Sequence, residues 1–315
     1  MKETMLSKIR IATRKSPLAL WQAEYIKQQL NRLAPHINIE LLPITTEGDK
    51  LLGTPLAVFG GKGLFVKELE QALLNKQADL AVHSMKDVTM FFPEGLILAS
   101  ICEREDPRDA FISNLYKTLD DIPSGAVLGT ASLRRQSILK HLRPDLQVAC
   151  LRGNVNSRLA RLDQGEFAAI ILASAGMSRL GFFERINDYF DPDIFIPAVG
   201  QGAIGIECRG DDNELIDLLK KLNHTSTEIC VMAERAMNEA LMGGCQTPVA
   251  AYAKITNTEI VIKGLVGKPD GSLLLKDEVK GPIHTAEKLG IQLAQKLIKK
   301  GAQDILKDIY TLNGK

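Results

Sequence analysis

The sequence predicts an α/β protein, two sheet-and-helix lobes followed by a small α+β domain, and three observations carry that prediction. The 315 residues exceed what one core usually fills, and a 45% hydrophobic share is enough to fill more than one. Strand-like runs alternate with helix-patterned runs through the first two-thirds of the chain, the pattern of sheets flanked by helices. That alternation restarts after Pro123, and after about Asn223 it gives way to a helix, three strand-like runs and a last helix.

Taken in order, Lys8 to Thr13 alternates like a strand, and Ser16-Pro17 then supplies an N-cap and an N1 proline for a helix running to about Leu33. Arg14 and Ser16 therefore stand in a strand-to-helix crevice beside free backbone N–H groups, where open α/β sheets bind ligands. Ile37 to Ile44 reads as the next strand. Gly60-Gly61-Lys62-Gly63 precedes a helix from Leu64 to Asn75 but lacks phosphate-loop spacing, so it reads as a mobile loop in which Lys62 is free to face a ligand. The short apolar strand Asp79 to Val82 delivers His83-Ser84-Met85-Lys86-Asp87 to its carboxyl end. Four polar or charged groups leaving an apolar run together exceed what a surface turn requires, and they read as functional.

Leu96 to Ile101 and Asp109 to Ser113 read as strands on either side of the charged segment Glu103 to Arg108, a hinge between lobes. Val127 to Thr130 is a strand, Ser132 an N-cap, and Leu133 to Leu142 a helix whose first turn holds Arg134 and Arg135. Cations there oppose the helix dipole at about 0.3–1 kcal/mol each, a conflict that a bound anion removes. Gln147 to Arg152 repeats the strand, followed by a helix from about Val155 carrying Arg158 and Arg161. Ala168 to Ala173 repeats it again, just before Arg179.

Gly200-Gln201-Gly202-Ala203-Ile204-Gly205 matches the glycine pattern of dinucleotide sites. Its last glycine lies inside a strand-like run to Cys208 and opens no helix, so a nicotinamide or flavin site is rejected. The segment reads instead as the chain crossing back into the first lobe. Further on, Thr225 with Glu228 reads as a capping box and Gly243 as the C′ glycine of a long helix. Val249 to Ile255, Glu259 to Gly264 and Ser272 to Val279 read as strands, and His284 to Lys300 as an amphipathic helix.

Several function classes fall away. Lys+Arg 39 against Asp+Glu 38 leaves no global field for nucleic acid or a membrane surface. The five cysteines are odd in number, widely spaced and without metal-ligand spacing, which predicts a reduced, cytoplasmic protein with no metal site. The first ten residues lack a signal-peptide pattern, and no apolar run approaches a membrane span. Neither a Ser-His-Asp order nor an H-E-x-x-H motif stands out, and His83, a lone histidine in its motif, reads as structural.

Two features remain. Between Thr130 and Arg179 the basic Arg134, Arg135, Lys140, Arg143, Arg152, Arg158, Arg161 and Arg179 face only Asp145, Asp163 and Glu166, eight against three, a local net of +5. Arginines at successive strand ends suit a ligand bearing several carboxylates or phosphates, although a solvated basic face and a two-lobe polyanion-binding protein fit the same pattern. The second feature is Gly243-Gly244-Cys245-Gln246, a thiol on a glycine turn past a helix end. Glycine there lets the thiol project outward, while the alternative is a small buried hydrophobe.

Arg14 to Ala23 (RKSPLALWQA), His83 to Val88 (HSMKDV), Gly129 to Gln136 (GTASLRRQ), Leu151 to Leu159 (LRGNVNSRL), Pro197 to Arg209 (PAVGQGAIGIECR) and Gly243 to Pro248 (GGCQTP) together resemble the porphobilinogen deaminases. The matches keep that family's order over nearly the whole chain, with the C-terminal segment similar mainly in pattern. The resemblance implies two lobes like those of periplasmic binding proteins, 1–102 plus 200–222 and 103–199, and a third domain, 223–315, bearing the cysteine. It implies head-to-tail condensation of four porphobilinogen molecules, with loss of ammonia, into hydroxymethylbilane on a dipyrromethane cofactor thioether-linked to Cys245. Asp87 would be the catalytic carboxylate. Ser84, Lys86, Asp87, Thr130, Ser132, Arg134, Arg135 and Arg158 would hold the cofactor, and Arg14, Ser16, Arg152, Arg158 and Arg179 the substrate carboxylates. A monomer acting on a small molecule, without nucleic acid or membrane, is also implied. Thr89, Ala131 and Met242 depart from the family pattern, where proline, serine and an acid are common.

Overall fold

The computed structural model describes residues 6–50, 63–244 and 247–313. Cys245, and Gly60 to Lys62 of the glycine loop, lie outside the described residues. The strands are β1 (Lys8–Arg14), β2 (Asn38–Ile44), β3 (Leu80–Ser84), β4 (Leu96–Ile101), β5 (Asp109–Ile112), β6 (Val127–Gly129), β7 (Gln147–Ala149), β8 (Ala169–Ala173), β9 (Asp188–Tyr189), β10 (Ile204–Arg209), β11 (Val249–Thr256), β12 (Glu259–Gly267) and β13 (Leu274–Pro282). The helices are α1 (Pro17–Leu33), α2 (Glu47–Lys50), α3 (Lys67–Leu74), α4 (Leu133–Leu142), α5 (Val155–Asp163), α6 (Ser174–Arg179), α7 (Asn213–Leu219), α8 (Thr225–Ala240), α9 (Ala286–Lys299) and α10 (Ala302–Asn313).

The chain folds as two compact units, the first including Gly63–Arg104 and Ala203–Glu228, the second including Glu105–Gly202 and the residues from Ile229 onward. In the first unit the sheet runs β2-β1-β3-β10-β4, with β1 parallel to β2 and β3, and β10 antiparallel to β3 and β4. Both faces are covered. Ile9 and Ile11 pack with Ala23, Ile26 and Leu30 of α1, whereas Ala12 and Ala81 pack with Leu69 and Leu73 of α3. A sheet buried on both sides needs apolar residues at successive positions, which is why β3 reads as one apolar run. The expected crossing of the chain into the first sheet is present: Gly200 and Gly202 turn at φ 69° and 92°, and the following residues enter that sheet as β10.

In the second unit a sheet of order β7-β6-β8-β5-β9 repeats that plan, with β6 parallel to β7 and β8, and β5 antiparallel to β8 and β9. The same unit carries the antiparallel sheet β11-β12-β13. One face of this small sheet packs against α8, α9 and α10 through residues such as Ile260, Ile262, Met237, Leu293 and Ile305. Ala250 and Leu265 belong instead to a core with Phe111, Leu128 and Ile138. Two α/β sheets and a smaller α+β element are therefore the architecture, as expected.

Three local expectations are corrected. Thr225 is already helical, so it does not cap α8, and the Glu228 carboxylate accepts from the Asn223 side-chain amide instead. The left-handed residue at the end of α8 is Met242 (φ 55°), not Gly243. Gly243 N–H donates to the Asn238 carbonyl and Met242 N–H to the Glu239 carbonyl, a Schellman motif with methionine at C′ and glycine one place later. Helix α10 was absent from the expectations; its Ile305, Leu306 and Ile309 are buried, and its Tyr310 hydroxyl donates to the Met242 carbonyl.

Gly290 lets α9 lie close against α8, since a Cβ there would stand 2.2 Å from the Ala233 carbonyl oxygen. Backbone cannot yield as a side-chain tip can, so Gly290→Ala should destabilise the fold by about 1–3 kcal/mol, read as a lower midpoint in denaturant unfolding.

Candidate functional site

In the first unit, the carboxyl ends of β1 and β3 supply the chemistry. Ser16 stands before α1 and its hydroxyl accepts from Ala19 N–H at 3.4 Å, so the expected cap is present. After β3 the chain makes one tight turn, Met85–Asp87, anchored where Met85 N–H donates to the Ala203 carbonyl at 3.0 Å. Gly205 of β10 makes room for it: a Cβ there would meet the Met85 Sδ at 2.2 Å. Lys86 and Asp87 are half-buried on this turn.

Arg14, Ser16, Gln22, His83, Ser84 and Asp87 line one cavity. The structure thus brings together four expected residues, Arg14, Ser16, Ser84 and Asp87, from separate stretches of sequence. Arg14 donates to Asp49 and lies over the Phe65 ring, 4.2 Å from its centroid. Burial opposes the charge on Asp49, but hydrogen bonds and charge from Arg14 hold its carboxyl below the usual carboxylate range. Gln22 was not anticipated. It is 2% exposed and exchanges hydrogen bonds with Ser84, donating at 2.9 Å and accepting at 3.2 Å. Its place within the Arg14 to Ala23 motif, as a polar residue on the apolar face of α1, is the signal that could have marked it.

In the second unit the arginines at strand ends fall into two kinds. Arg134 and Arg135 are buried, and both bind Asp109 of β5: Arg134 Nη1 donates at 2.6 Å, and Arg135 Nη2 and Nε at 2.7 and 3.0 Å. Arg134 also donates to the Ile196 carbonyl and Arg135 to the Ile171 carbonyl, at 2.8 and 2.7 Å. Gln201 adds a bond to Asp109 at 3.1 Å. The anion that resolves the helix-dipole conflict is therefore Asp109, an internal carboxylate, and not a ligand as the dipole argument expected. Burial works against the charge on Asp109, yet the two guanidinium groups outweigh it and hold the carboxyl far below the usual range.

Thr130 Oγ1 accepts from Ser132 N–H at 3.2 Å, and Ser132 caps α4 by accepting from Arg135 N–H at 3.4 Å. Arg152, Arg158 and Arg179 are half-buried. Arg158 Nε donates to the Gly153 carbonyl and Arg179 Nη2 to the Gly202 carbonyl, each at 2.8 Å. The second unit thus offers hydroxyls and guanidinium groups, the chemistry that receives carboxylates. Arg134 Nε is buried without a hydrogen-bond partner, a donor left over once Asp109 is satisfied.

Near Cys245 the described neighbours bind one another. Gly244 N–H donates to Thr247 Oγ1 at 3.0 Å, and that hydroxyl donates back to the Gly244 carbonyl at 2.7 Å. Of the four described cysteines, Cys102, Cys208 and Cys230 are buried and Cys150 is exposed. Burial pushes the Cys208 thiol up to about 12, so it packs as an inert hydrophobe. Among the described residues no His, Cys, Asp and Glu group could hold a metal ion, and no helix is long and apolar enough to cross a membrane.

Residues 9–217 match the family model described as porphobilinogen deaminase, dipyromethane cofactor binding domain, and residues 228–299 match porphobilinogen deaminase, C-terminal domain. The chain belongs to the porphobilinogen deaminase family. Dipyrromethane is accordingly its cofactor, and the donor set around Thr130 to Arg158 suits that group's carboxylates. Porphobilinogen deaminases are transferases of porphyrin biosynthesis. Among solved structures, the chain is similar to the BvgS VFT2 domain of Bordetella pertussis (17% identity, 68% of this chain and 86% of that one, TM-score 0.43). It is also similar to lipoprotein Tp32 of Treponema pallidum (13% identity, 74% and 95%, TM-score 0.45).

Asp109→Asn leaves two buried guanidinium groups without their counter-charge. It should cost about 3–5 kcal/mol of stability at neutral pH, measured by denaturant unfolding. Because the folded carboxyl titrates below its unfolded value, its contribution is present above about pH 4 and is lost as pH falls further. The gap between wild type and variant should therefore close only on acidification below about pH 4.

Proposed function

We propose that the chain is a hydroxymethylbilane synthase, condensing four porphobilinogen molecules head to tail with loss of ammonia. The observation that carries this reading is the cavity in which Asp87 shares walls with Arg14, Ser16 and Ser84, within a segment that matches the deaminase family. Bound dipyrromethane supplies a pyrrole with a free α-carbon on which the chain is extended.

In this reading Arg14, Ser16, Arg152, Arg158 and Arg179 receive the acetate and propionate groups of incoming substrate. Ser84, Lys86, Thr130, Ser132 and Arg158 hold the cofactor. Arg134 and Arg135 belong to the same set, with Arg134 Nη1 and Arg135 Nε and Nη2 committed to Asp109 and the Arg134 Nε left to serve the ligand. Asp87 acts on the substrate itself. Its carboxylate accepts hydrogen bonds from pyrrole N–H groups, assists departure of ammonia and stabilises the positive charge that this departure leaves on the substrate ring. Cys245 tethers the cofactor through a thioether, and the turn residues Gly244 and Thr247 beside it are already fastened to each other. We further assign residues 1–102 with 200–222, 103–199 and 223–315 to three domains of a cytoplasmic monomer.

Intact-mass measurement and turnover test the assignment together. The isolated protein should carry an adduct of two pyrrole units that disappears in Cys245→Ser. Asp87→Asn should keep the adduct and lose at least about 100-fold in turnover, the scale of a removed general acid–base group. A fully active Asp87→Asn enzyme, or an unmodified wild-type chain that stays inactive when supplied with porphobilinogen, would overturn it.

A further inference from the structure

The buried stripe of α1 consists of Ala19, Gln22, Ala23, Ile26 and Leu30, so one amide sits among apolar side chains. Ala23, Ile26 and Leu30 already dock the helix against Ile9, Ile11 and Leu80 of the first sheet. Gln22 is 2% exposed, and an amide in that place brings two donor hydrogens and two acceptor lone pairs that an apolar residue would not have to satisfy. Among the described residues its side chain bonds only to Ser84, the last residue of β3: Nε2 donates to Ser84 Oγ at 2.9 Å, and Ser84 Oγ donates to Oε1 at 3.2 Å. The hydroxyl has a single hydrogen, so the second bond uses up what the first leaves free. Ser84 is half-buried, and both residues line the cavity of Arg14, Ser16 and Asp87. An anion in that cavity draws the Ser84 hydrogen away from Oε1, while the bond from Nε2 stays.

We propose that Gln22 is a positioning residue: its amide donates to the Ser84 hydroxyl, which frees the one Ser84 hydrogen to donate to a ligand carboxylate in the cavity. A hydroxyl that accepts a hydrogen bond is polarised toward donating one, so the buried amide strengthens the donor it holds. In the deaminase reading, on which this proposal rests, the carboxylate belongs to dipyrromethane. Arg14 in the same wall gives Nε and Nη2 to Asp49, so a hydroxyl donor beside it adds to what the paired guanidinium offers an anion. A carboxylate at position 22 does the reverse. It only accepts, takes the Ser84 hydrogen for itself and faces the ligand with like charge.

The test uses Gln22→Met, Gln22→Glu, Ser84→Ala and the double variant of Gln22→Met with Ser84→Ala. Porphobilinogen turnover and adduct mass are measured in each. Denaturant unfolding compares Gln22→Met with its parent twice, as holoprotein and in the Cys245→Ser background, which carries no cofactor. Gln22→Met and Ser84→Ala should each lower kcat/KM about tenfold to a hundredfold, and the double variant should stay within about twofold of the worse single one, because both remove the same donor. Gln22→Glu should lose more than Gln22→Met. The unfolding midpoint should drop for Gln22→Met in the holoprotein and stay nearly unchanged in Cys245→Ser, where no carboxylate meets the hydroxyl. Single losses that multiply in the double variant, a Gln22→Glu enzyme as active as Gln22→Met, or equal stability losses with and without cofactor would overturn the proposal. With wild-type adduct and turnover normal, any of these three results sinks this proposal alone; a wild-type chain with neither adduct nor turnover sinks the deaminase reading and the proposal with it.

Discussion

The carboxylate of Asp109 is the point on which the second unit depends. It gathers Arg134 and Arg135 from α4 and Gln201 from the glycine turn, and through the two arginines it reaches the carbonyls of Ile171 on β8 and Ile196. Four stretches distant in sequence must therefore be in register before one buried charge is compensated. An ion cluster of this kind adds little net stability over apolar packing, because desolvation consumes most of the attraction. It does discriminate steeply against arrangements that leave one member unpaired. The arginines most prominent in the sequence are, in this light, partly the price of a charged interior.

Glu234 plays a related part with backbone partners. Fully buried on α8, it accepts from Gly200 N–H at 2.7 Å and from Ala253 N–H at 2.8 Å, joining the glycine turn to the small antiparallel sheet. The helix that carries this carboxylate also leads into the turn before Cys245. Its end is held by the Schellman bonds and by Tyr310 of α10. A methionine at φ 55° in that position is tolerated because its surroundings over-determine it.

The first unit uses polar groups differently. Its cavity takes Arg14 and Ser16 from the end of β1 and Ser84 and Asp87 from the end of β3, two adjacent parallel strands. Parallel neighbours deliver their carboxyl ends to the same edge, so residues seventy positions apart in sequence become wall-mates without any special contact between their elements. The close passage of Met85 over Gly205 then fixes the turn on which Asp87 sits.

Local chemistry made much of this legible. Ser16-Pro17 and Ser132 announce helix starts because capping is decided within four residues, and the helices Pro17–Leu33 and Leu133–Leu142 begin where those signals stand. Asp87, Arg14 and Cys245 stood out because their motifs survive in order along the chain. Where reading failed, a different neighbour within a few residues took the bond that the pattern assigned elsewhere. Thr225 and Glu228 look like a capping box until Asn223 takes the carboxylate, and Gly243 looks like the left-handed residue until Asn238 and Glu239 set the helix end one position earlier. By itself the sequence determined the fold class and the family, since each rests on short-range pattern. Only the tertiary structure decided which charges are spent inside, Arg134 and Arg135 on Asp109 and His83 on Glu207, because a buried carboxylate finds its partner through space and leaves no spacing to read.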